Sequence, residues 1–250
     1  MGSCSMAGET SVTYGQESAI LLLMQKDYII AVGGSIICPD KVNTEYLKAL
    51  HAFIRGEIRD GKRFILVVGG GAPARTFQKA AAEVVDVPDE DKDWLGIHAT
   101  RLNAHLLRTV FREEANPVIF EARGKITEFG SYPLIIGAGW RPGWSTDFVT
   151  VQIAVDFKNP QAIILGKPEF VYDKDNQAFP DAKPYVKMTW EEYMKLVPAK
   201  WSPGIHAPVD PVAAKLAQKE KLRVIVAGGK DLQNVKDILD GKDFRGTTIE

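Results

Sequence analysis

The sequence predicts an α/β fold whose central sheet is mostly parallel and covered by helices on both faces. Six short runs rich in valine and isoleucine alternate with segments that repeat apolar residues at helical spacing. The runs are apolar throughout, as strands buried on both faces are, and glycine follows most of them. Strands that alternate with helices in this way favour a parallel sheet with helical layers above and below it.

The predicted elements follow from these patterns in order along the chain. The strands are Tyr28–Val32, Phe64–Val68, Pro117–Phe120, Leu134–Ile136, Ala162–Leu165 and Arg223–Ala227. The helices are Thr44–Arg59, Ala74–Val85, Gly96–Glu113, Asp147–Phe157, Asp210–Lys219 and Leu232–Leu239. The segment Val171–Lys187 is polar, contains two prolines and lacks helical period, which predicts a hairpin or a lid.

Composition limits the class of protein. The chain has 250 residues, is 45% hydrophobic and carries a net charge of −1, which favours one globular domain and indicates no nucleic-acid or membrane partner. We expect a disordered tail at residues 1–26 and a domain at residues 27–250, since residues 1–18 are polar, rich in glycine and serine, and without period. The apolar run Ala19–Met24 is too short to cross a bilayer. Two cysteines, Cys4 and Cys38, make no disulfide framework and favour a reducing, cytoplasmic compartment.

Glycine-rich loops follow four of the predicted strands. They are Gly33-Gly34-Ser35, Gly69-Gly70-Gly71, Gly137–Trp144 and Gly228-Gly229. In an open parallel sheet, ligands bind beyond the carboxyl ends of the strands. Glycine there lets backbone N–H groups approach an anion, and the next helix adds its positive N-terminus. The loops together predict a phosphate site at this edge.

Familiar motifs for other nucleotide folds and for metal sites are missing. No G-x-x-x-x-G-K-[ST] segment occurs, which excludes a P-loop protein. Pro142 stands where a dinucleotide fingerprint begun at Gly137 would carry its last glycine, so a Rossmann oxidoreductase is not expected. His98 and His105 have no third ligand near them in sequence, and no protein metal site is predicted.

Five ordered segments resemble the amino-acid kinase superfamily and, within it, the uridylate (UMP) kinases of the archaeal type. They are AVGGSII, VVGGGAPAR, DWLGIHATRLNAHLL, GWRPGWSTDFVTVQIA and HAPVDPVAAKLA…VIVAGG, and the closing GTTIE is also similar. The resemblance implies a three-layer αβα sandwich with an acceptor part at about residues 27–160 and a nucleotide-donor part at about 161–250. It also implies transfer of the γ-phosphoryl group of ATP, with Mg²⁺, to UMP, and a hexamer built as a trimer of dimers.

For the acceptor's phosphate, the resemblance implies binding by the backbone N–H groups of Gly70 and Gly71, with Arg75 as the charged partner. A cation in the first turn of a helix opposes the helix dipole, so an anionic partner suits Arg75 better than the alternative of a solvated surface residue. Asp93 matches the acid that binds the ribose hydroxyls in the family. Its alternative role is the N-cap of a helix that begins near Leu95.

The loop before the fourth predicted helix carries the catalytic expectation. Ser145, Thr146 and Asp147 match the family's Thr-Thr-Asp, which implies that the hydroxyls cap the helix and reach phosphate. Asp147 is expected to orient the catalytic groups, and also to be able to cap that helix.

The base end of the acceptor site differs from that of relatives. Gly139 and Trp140 are expected to contact the acceptor. Trp140, Arg141 and Trp144 replace the small polar residues that relatives carry. An indole has one hydrogen-bond donor and no acceptor, so it does not read the edge of uracil as those residues do.

On the donor side, backbone dipoles of the first glycine loop are expected to face the transferred phosphoryl group, with Gly34 counted as catalytic. Lys215 is the expected catalytic cation, although it could equally be a surface lysine. The resemblance implies the following ATP-binding residues: Gly33, Gly34, Ser35, Lys167, Tyr172 and Asp175.

Two departures from the family pattern leave other functions open. Ala31 stands where many members carry a lysine, so Mg²⁺, Lys215 or Lys167 would have to supply that charge. Glu169-Phe170 replaces an Asp-Gly pair in the donor segment at 166–176. One alternative is a non-catalytic relative that binds a nucleotide or oxyanion for storage or regulation, as the molybdenum storage proteins do. Another is a kinase for a different small phosphorylated acceptor.

Overall fold

A seven-stranded sheet runs through the computed structural model, which describes residues 26–176, 178–197 and 207–250. The strands in chain order are β1 (Lys26–Val32), β2 (Lys62–Val68), β3 (Leu134–Gly137), β4 (Gln161–Gly166), β5 (Val171–Tyr172), β6 (Pro184–Tyr185), β7 (Lys187–Met188), β8 (Arg223–Gly228) and β9 (Thr247–Ile249). The order across the sheet is β3-β2-β1-β4-β8-β9-β7, and β5 pairs with β6 in a separate hairpin. All neighbours in the large sheet are parallel except β8 and β9, which are antiparallel.

Helices cover both faces of this sheet. They are α1 (Gly34–Ile37), α2 (Thr44–Arg59), α3 (Gly71–Val84), α4 (Asp89–Val110), α5 (Thr146–Asp156), α6 (Trp190–Leu196), α7 (Pro211–Lys219) and α8 (Leu232–Leu239). One face packs against α5, α6 and α7, and the other packs against α1, α2, α4 and α8. None of the helices in the described ranges is long and apolar enough to span a bilayer.

The two cores arise from alternation along the strands. In β1, Ile29 and Ala31 belong to one apolar cluster, and Tyr28, Ile30 and Val32 belong to the cluster on the opposite face. The helix α5 is apolar on nearly all sides, and seven of its residues are buried, because it lies in a covered layer. The predicted three-layer αβα sandwich with a mostly parallel sheet is therefore confirmed.

One predicted strand is wrong. Within the segment Pro117–Phe120 only Phe120 makes a bridge, an isolated one to Gly137, and a second isolated bridge joins Ala115, before the segment, to Leu134. Pro117 has no N–H to give to a ladder, and the N–H of Val118 bonds instead to the side chain of Asn116 at 2.9 Å. Apolar composition alone did not distinguish this buried connection from a strand.

Helix bounds were predicted less well where the helix surface is polar. The predicted helix at Gly96 begins at Asp89, because the acidic first turn, Asp89 to Asp91, favours a helix N-terminus without adding to an apolar stripe. The helix predicted from Ala74 begins at Gly71. Short elements were missed: α1, α6, β7 and β9. The hairpin predicted within Val171–Lys187 is confirmed by the pairing of β5 with β6.

The chain order across the sheet locates the functional edge. From β1 the chain proceeds to β2 and β3 on one side, and it then crosses to β4 on the other side of β1. In such sheets the ligand crevice lies outside the carboxyl ends of the two strands at this switch point. The loops after β1, β2 and β4 are therefore the first place to look for a site. The predicted tail at residues 1–26 lies outside the described residues except for Lys26, which begins β1.

Candidate functional site

The glycine loops after β1 and β2 touch each other through their backbones. A Cβ atom on Gly34 would overlap the backbone nitrogen of Gly71 and lie 2.5 Å from the carbonyl carbon of Gly69. A Cβ on Gly71 would lie 2.5 Å from the Gly34 oxygen, and Gly71 also has a φ of +65°, where side chains are strained. Glycine is thus required here by close approach, and the predicted donor and acceptor loops form one continuous backbone surface.

The loops after β4 and β8 join the same edge. The N–H of Gly33 donates to the carbonyl of Leu165 at 2.8 Å, and the N–H of Gly229 donates to the carbonyl of Gly166 at 3.0 Å. The Tyr46 hydroxyl donates to the Gly229 carbonyl at 2.9 Å, which holds this loop against α2. The predicted donor loop therefore lies between β2 and β4, as the switch point requires.

The remaining predicted ATP residues follow these loops. Ser35 is half-buried in α1, and Lys167 is exposed directly after β4. Tyr172 is half-buried in the hairpin, where its ring lies 6.2 Å from that of Phe170, and Asp175 is exposed. Their contacts with a nucleotide stay predictions.

On the acceptor side, the helix α3 begins directly at the glycine loop, with Gly70 as its N-cap. Arg75 is exposed in its early turns, and its guanidinium donates to the carbonyl of Pro39 at 2.8 Å. This contact holds Arg75 beside the loop that follows α1. Its binding to phosphate stays a prediction.

Asn103 supports the acceptor loop and was not singled out from the sequence. Its side-chain amide donates to the carbonyls of Gly69 and Gly70 at 2.8 and 3.0 Å, and the residue is 3% exposed. Because both carbonyls are held toward α4, the neighbouring peptides of the loop are fixed. The available signal was a polar residue at a core-facing position of α4, between the buried Thr100 and Leu107.

Asp93 ties the loop after β3 to α4. One of its carboxylate oxygens accepts the N–H of Gly143 at 2.7 Å. Burial raises the pKa of Asp93, and this N–H opposes the rise. The N-cap interpretation is wrong, because α4 begins at Asp89 after the N-cap residue Pro88. A bond from Asp93 to ribose stays a prediction.

The structure places two of the predicted acceptor contacts in packed positions. Trp140 is 5% exposed, and its indole N–H donates to the carbonyl of Phe120 at 3.1 Å. That donor is therefore already used within the core, and a contact of Trp140 with the acceptor stays a prediction. The N–H of Gly139 donates to the Thr100 hydroxyl at 2.8 Å, and a side chain at Gly139 would crowd α4.

Arg141 and Trp144 form the outer part of this loop. The Arg141 guanidinium carbon lies 4.3 Å from the centre of the Trp144 ring, and the Trp144 ring lies 4.5 Å from that of Phe148. This stacking places a cation on the exposed side of an aromatic cluster. Of the unusual residues in this loop, Arg141 is exposed and Trp144 is half-buried.

Two helix N-termini meet through a cluster of three side chains. Ser145 is the N-cap of α5, where its oxygen accepts the N–H of Phe148 at 3.0 Å. The Ser145 hydroxyl also donates to Asp210, the N-cap of α7. The backbone N–H of Asp210 in turn faces the carboxylate of Asp147. The predicted capping role of Ser145 is confirmed, whereas Asp147 lies inside the first turn and is not the cap.

The carboxyl groups of Asp147 and Asp210 make this cluster electrostatically unusual. Burial, and then the charge of Asp210, raise the pKa of Asp147 to about 8, although the Asp210 N–H opposes the rise. Asp210 is 5% exposed, and its side chain accepts the N–H groups of Val212 and Ala213 at 2.7 and 3.0 Å. A nearby cation would favour the charged form of Asp147, so the cluster is suited to hold positive charge.

The strand next to this cluster brings no cation to it. Ala31 is 3% exposed and lies in the apolar cluster that contains Val149 of α5 and Ala213 of α7. Lys215 is exposed on α7, the helix that Asp210 caps. Thr146 is half-buried and opens α5. Asp147, Thr146 and Lys215 thus lie on the two helices whose N-termini meet.

Comparison with known proteins identifies relatives of this chain. The sequence pattern of the amino acid kinase family matches residues 28–228. The uridylate kinase of Thermococcus onnurineus is 31% identical over 227 residues, which cover 89% of this chain and 98% of that relative. The uridylate kinase of Sulfurisphaera tokodaii is 32% identical over 214 residues, covering 84% and 94%.

Solved structures share the fold at lower sequence identity. The crystal structure of uridylate kinase from Archaeoglobus fulgidus superposes with a TM-score of 0.74 at 24% identity, covering 90% of this chain and 100% of that one. The UMP kinase from Bacillus anthracis gives a TM-score of 0.73 at 19% identity, covering 90% and 96%. With the family pattern spanning most of the chain and these relatives spanning nearly their full lengths, the chain belongs to the amino acid kinase family.

Proposed function

We propose that this chain transfers the γ-phosphoryl group of Mg–ATP to a nucleoside monophosphate, with UMP as the acceptor. The observation that carries the proposal is the backbone contact between the glycine loops after β1 and β2, which are the loops predicted to bind the donor and the acceptor. The relatives named uridylate kinase support UMP as the acceptor. The low cysteine content supports a cytoplasmic reaction.

Phosphoryl transfer of this kind needs positioning and charge neutralisation more than covalent chemistry. The N–H groups of Gly70 and Gly71 would hold the acceptor's phosphate at the N-terminus of α3, where Gly70 is the N-cap. The first glycine loop, Gly33 to Ser35, would hold the donor's phosphates from the other side. Both loops are fixed by the backbone, so little reorganisation is required at the moment of transfer.

The charge on the transferred group would be balanced from the carboxylate cluster. Asp147 would hold the cations around that group, namely the Mg²⁺ that arrives with ATP and the ammonium group of Lys215. Lys167, directly after β4, would neutralise the donor's phosphates in place of the lysine absent at Ala31. Tyr172 and Asp175 of the hairpin would contact the nucleoside end of the donor. The comparisons do not favour the non-catalytic alternative, because the relatives are named as kinases.

A coupled assay of ADP release tests the proposal directly. Purified protein is given Mg–ATP with UMP, CMP, AMP or a small phosphorylated acceptor in turn. We expect the highest kcat/KM with UMP. Clear UMP binding in calorimetry together with no turnover of any acceptor would contradict the proposal and favour the binding-only alternative.

We predict that Arg75→Ala weakens UMP binding by about 2 kcal/mol, which is roughly thirtyfold, because a hydrogen bond to a charged group has this magnitude. Calorimetric titration measures the change. Arg59→Ala is the matched control, since Arg59 is also exposed and donates to a backbone carbonyl, that of Arg55 at 3.2 Å. Equal affinities for wild type and Arg75→Ala would leave Arg75 as a surface residue.

We also propose that the chain assembles as a homo-oligomer, a hexamer arranged as a trimer of dimers. Large apolar side chains are exposed on the outer layer formed by α3 and α4: Phe77 is 63% exposed and Leu102 is 64% exposed. Contact with another subunit would remove this surface from water. Sedimentation at micromolar concentration should show a hexamer, and a monomer would contradict the assembly without affecting the fold.

A further inference from the structure

We propose that Tyr193 is a positioning residue for phosphoryl transfer. Its hydroxyl bonds both the N–H and the carbonyl of Val209, and it thereby fixes the position of Asp210 relative to Asp147. The inference rests on the proposed kinase function, and it concerns a residue that touches neither substrate. Tyr193 belongs to α6, and it is 0% exposed. One residue, Val209, connects it to Asp210 of the carboxylate cluster.

The Tyr193 hydroxyl acts toward Val209 both as a hydrogen-bond donor and as an acceptor. The Tyr193 hydroxyl donates to the carbonyl of Val209 at 2.6 Å and accepts the N–H of Val209 at 2.7 Å. Val209 is itself 0% exposed, so water does not replace either bond. A phenol hydroxyl carries one proton and can also accept, and both capacities are spent on a single residue. This arrangement fixes the backbone of Val209 in two directions.

Asp210 follows Val209 directly and transmits this constraint to the cluster. The side chain of Asp210 accepts the Ser145 hydroxyl, and the N–H of Asp210 faces the carboxylate of Asp147. The Asp210 side chain also caps α7 through the N–H of Val212 at 2.7 Å. A shift of the Val209 backbone would therefore move the donor that faces Asp147.

The helix α6, which carries Tyr193, is itself held in place by contacts with the rest of the fold. The Trp190 indole N–H donates to the carbonyl of Leu222 at 3.0 Å, which ties α6 to the start of β8. At its N-terminus, Thr189 and Glu192 form a reciprocal capping box. The Tyr193 ring packs edge-on against Trp190 at 5.9 Å, so phenylalanine at this position would retain the packing and lose only the hydroxyl.

The test compares Tyr193→Phe with Tyr28→Phe. The Tyr28 hydroxyl is also buried and donates to a backbone carbonyl, that of Leu239 at 2.6 Å, but it lies at the amino end of β1, away from the loops. We expect kcat to fall about tenfold in Tyr193→Phe, which corresponds to a loss of about 1.4 kcal/mol of transition-state stabilisation. KM for UMP and ATP should stay within about twofold of wild type, because the binding loops are untouched. In Tyr28→Phe, kcat should not change, although both variants lose a buried hydrogen bond and some thermal stability.

The split between kcat and KM separates positioning from general loosening. General loosening would raise KM for UMP or ATP as kcat falls, whereas misplacement of Asp210 alone lowers kcat and leaves KM unchanged. A kcat in Tyr193→Phe equal to that of wild type would overturn the inference.

Failure of the proposed function would be distinguishable from failure of this inference. Wild-type protein without turnover would contradict the kinase proposal. Carbon-13 NMR of the aspartate carboxyl groups then tests the inference without activity. A shift of the Asp147 carboxyl signal in Tyr193→Phe that is absent in Tyr28→Phe would support it, and a signal identical to that of wild type would overturn it.

Discussion

Replacing Gly34 with alanine should destabilise the protein by at least about 3 kcal/mol, at the upper end of what overpacking a core costs. The added Cβ would lie 2.5 Å from the carbonyl carbon of Gly69 and 2.6 Å from its oxygen, and it would overlap the backbone nitrogen of Gly71. These neighbours are backbone atoms, so no side-chain rotation relieves the overlap. Chemical denaturation of the variant measures the loss of free energy of unfolding.

Gly56→Ala is the matched control for this substitution. Gly56 lies in α2, and nothing lies within 4 Å of the position that its Cβ would occupy. Alanine is favoured over glycine in a helix interior by about 1 kcal/mol, so Gly56→Ala should stabilise the protein slightly. The same chemical change is thus expected to have opposite signs at the two sites. A Gly34→Ala variant as stable as wild type would show that the two loops can separate.

The contact between the glycine loops also shows which parts of the structure could be predicted from sequence patterns. Both loops follow apolar runs that become β1 and β2, and parallel strands end at a common edge, so their proximity was predictable. Helices with a clear apolar stripe were predicted at their observed bounds, as at Thr44–Arg59 and Leu232–Leu239. In these elements the local period and the tertiary environment agree.

Elements that depend on distant partners were not predictable in the same way. The strand Thr247–Ile249 is three residues long, and its pairing with β8 is decided only when the sheet is assembled. The segment at Pro117–Phe120 has the composition of a strand, yet its proline removes a donor. Sequence patterns describe local preference, and these two cases are decided by hydrogen bonds made elsewhere.

The candidate site shows the same division. The glycine loops and Ser145 were identified because their roles are local to a strand end or a helix start. Asp210 lies 65 residues from Ser145 in sequence, and their hydrogen bond exists only in the folded chain. Asn103 likewise reaches back 34 residues to the Gly69 carbonyl. Such supporting contacts become visible only once the helices are placed.

Asp147→Asn should lower turnover by at least about a hundredfold, which is roughly 2.7 kcal/mol of transition-state stabilisation, while it leaves the fold intact. Asparagine matches the shape of the carboxyl group, and Ser145, not Asp147, caps α5, so the helix retains its cap. What the variant loses is the negative charge that would hold Mg²⁺ and Lys215 around the transferred group. Steady-state assays with UMP and Mg–ATP measure the loss.

Stability should respond to Asp147→Asn in the opposite direction to activity. The pKa of Asp147 is raised from 3.8 to about 8 by burial and by the charge of Asp210. Below about pH 4 the side chain is protonated in both the folded and unfolded states. Between about pH 4 and pH 8 the unfolded state releases the proton and the folded state retains it, so Asp147 lowers stability progressively as pH rises. The variant should therefore gain thermal stability relative to wild type as pH approaches 8.

The control for this last prediction is Asp156→Asn on the same helix. Asp156 lies at the far end of α5 and pairs with Arg123 at 2.7 Å near the surface, where such a pair contributes little. Its loss should change neither turnover nor the pH dependence of stability. In wild type, kcat/KM should rise as pH increases toward 8, because this profile reports ionisation of Asp147 in the free protein, and Asp147→Asn should lack the rise. A fully active Asp147→Asn variant would still support the kinase function, but it would contradict the proposed role of Asp147, since the charge would then be unnecessary for transfer.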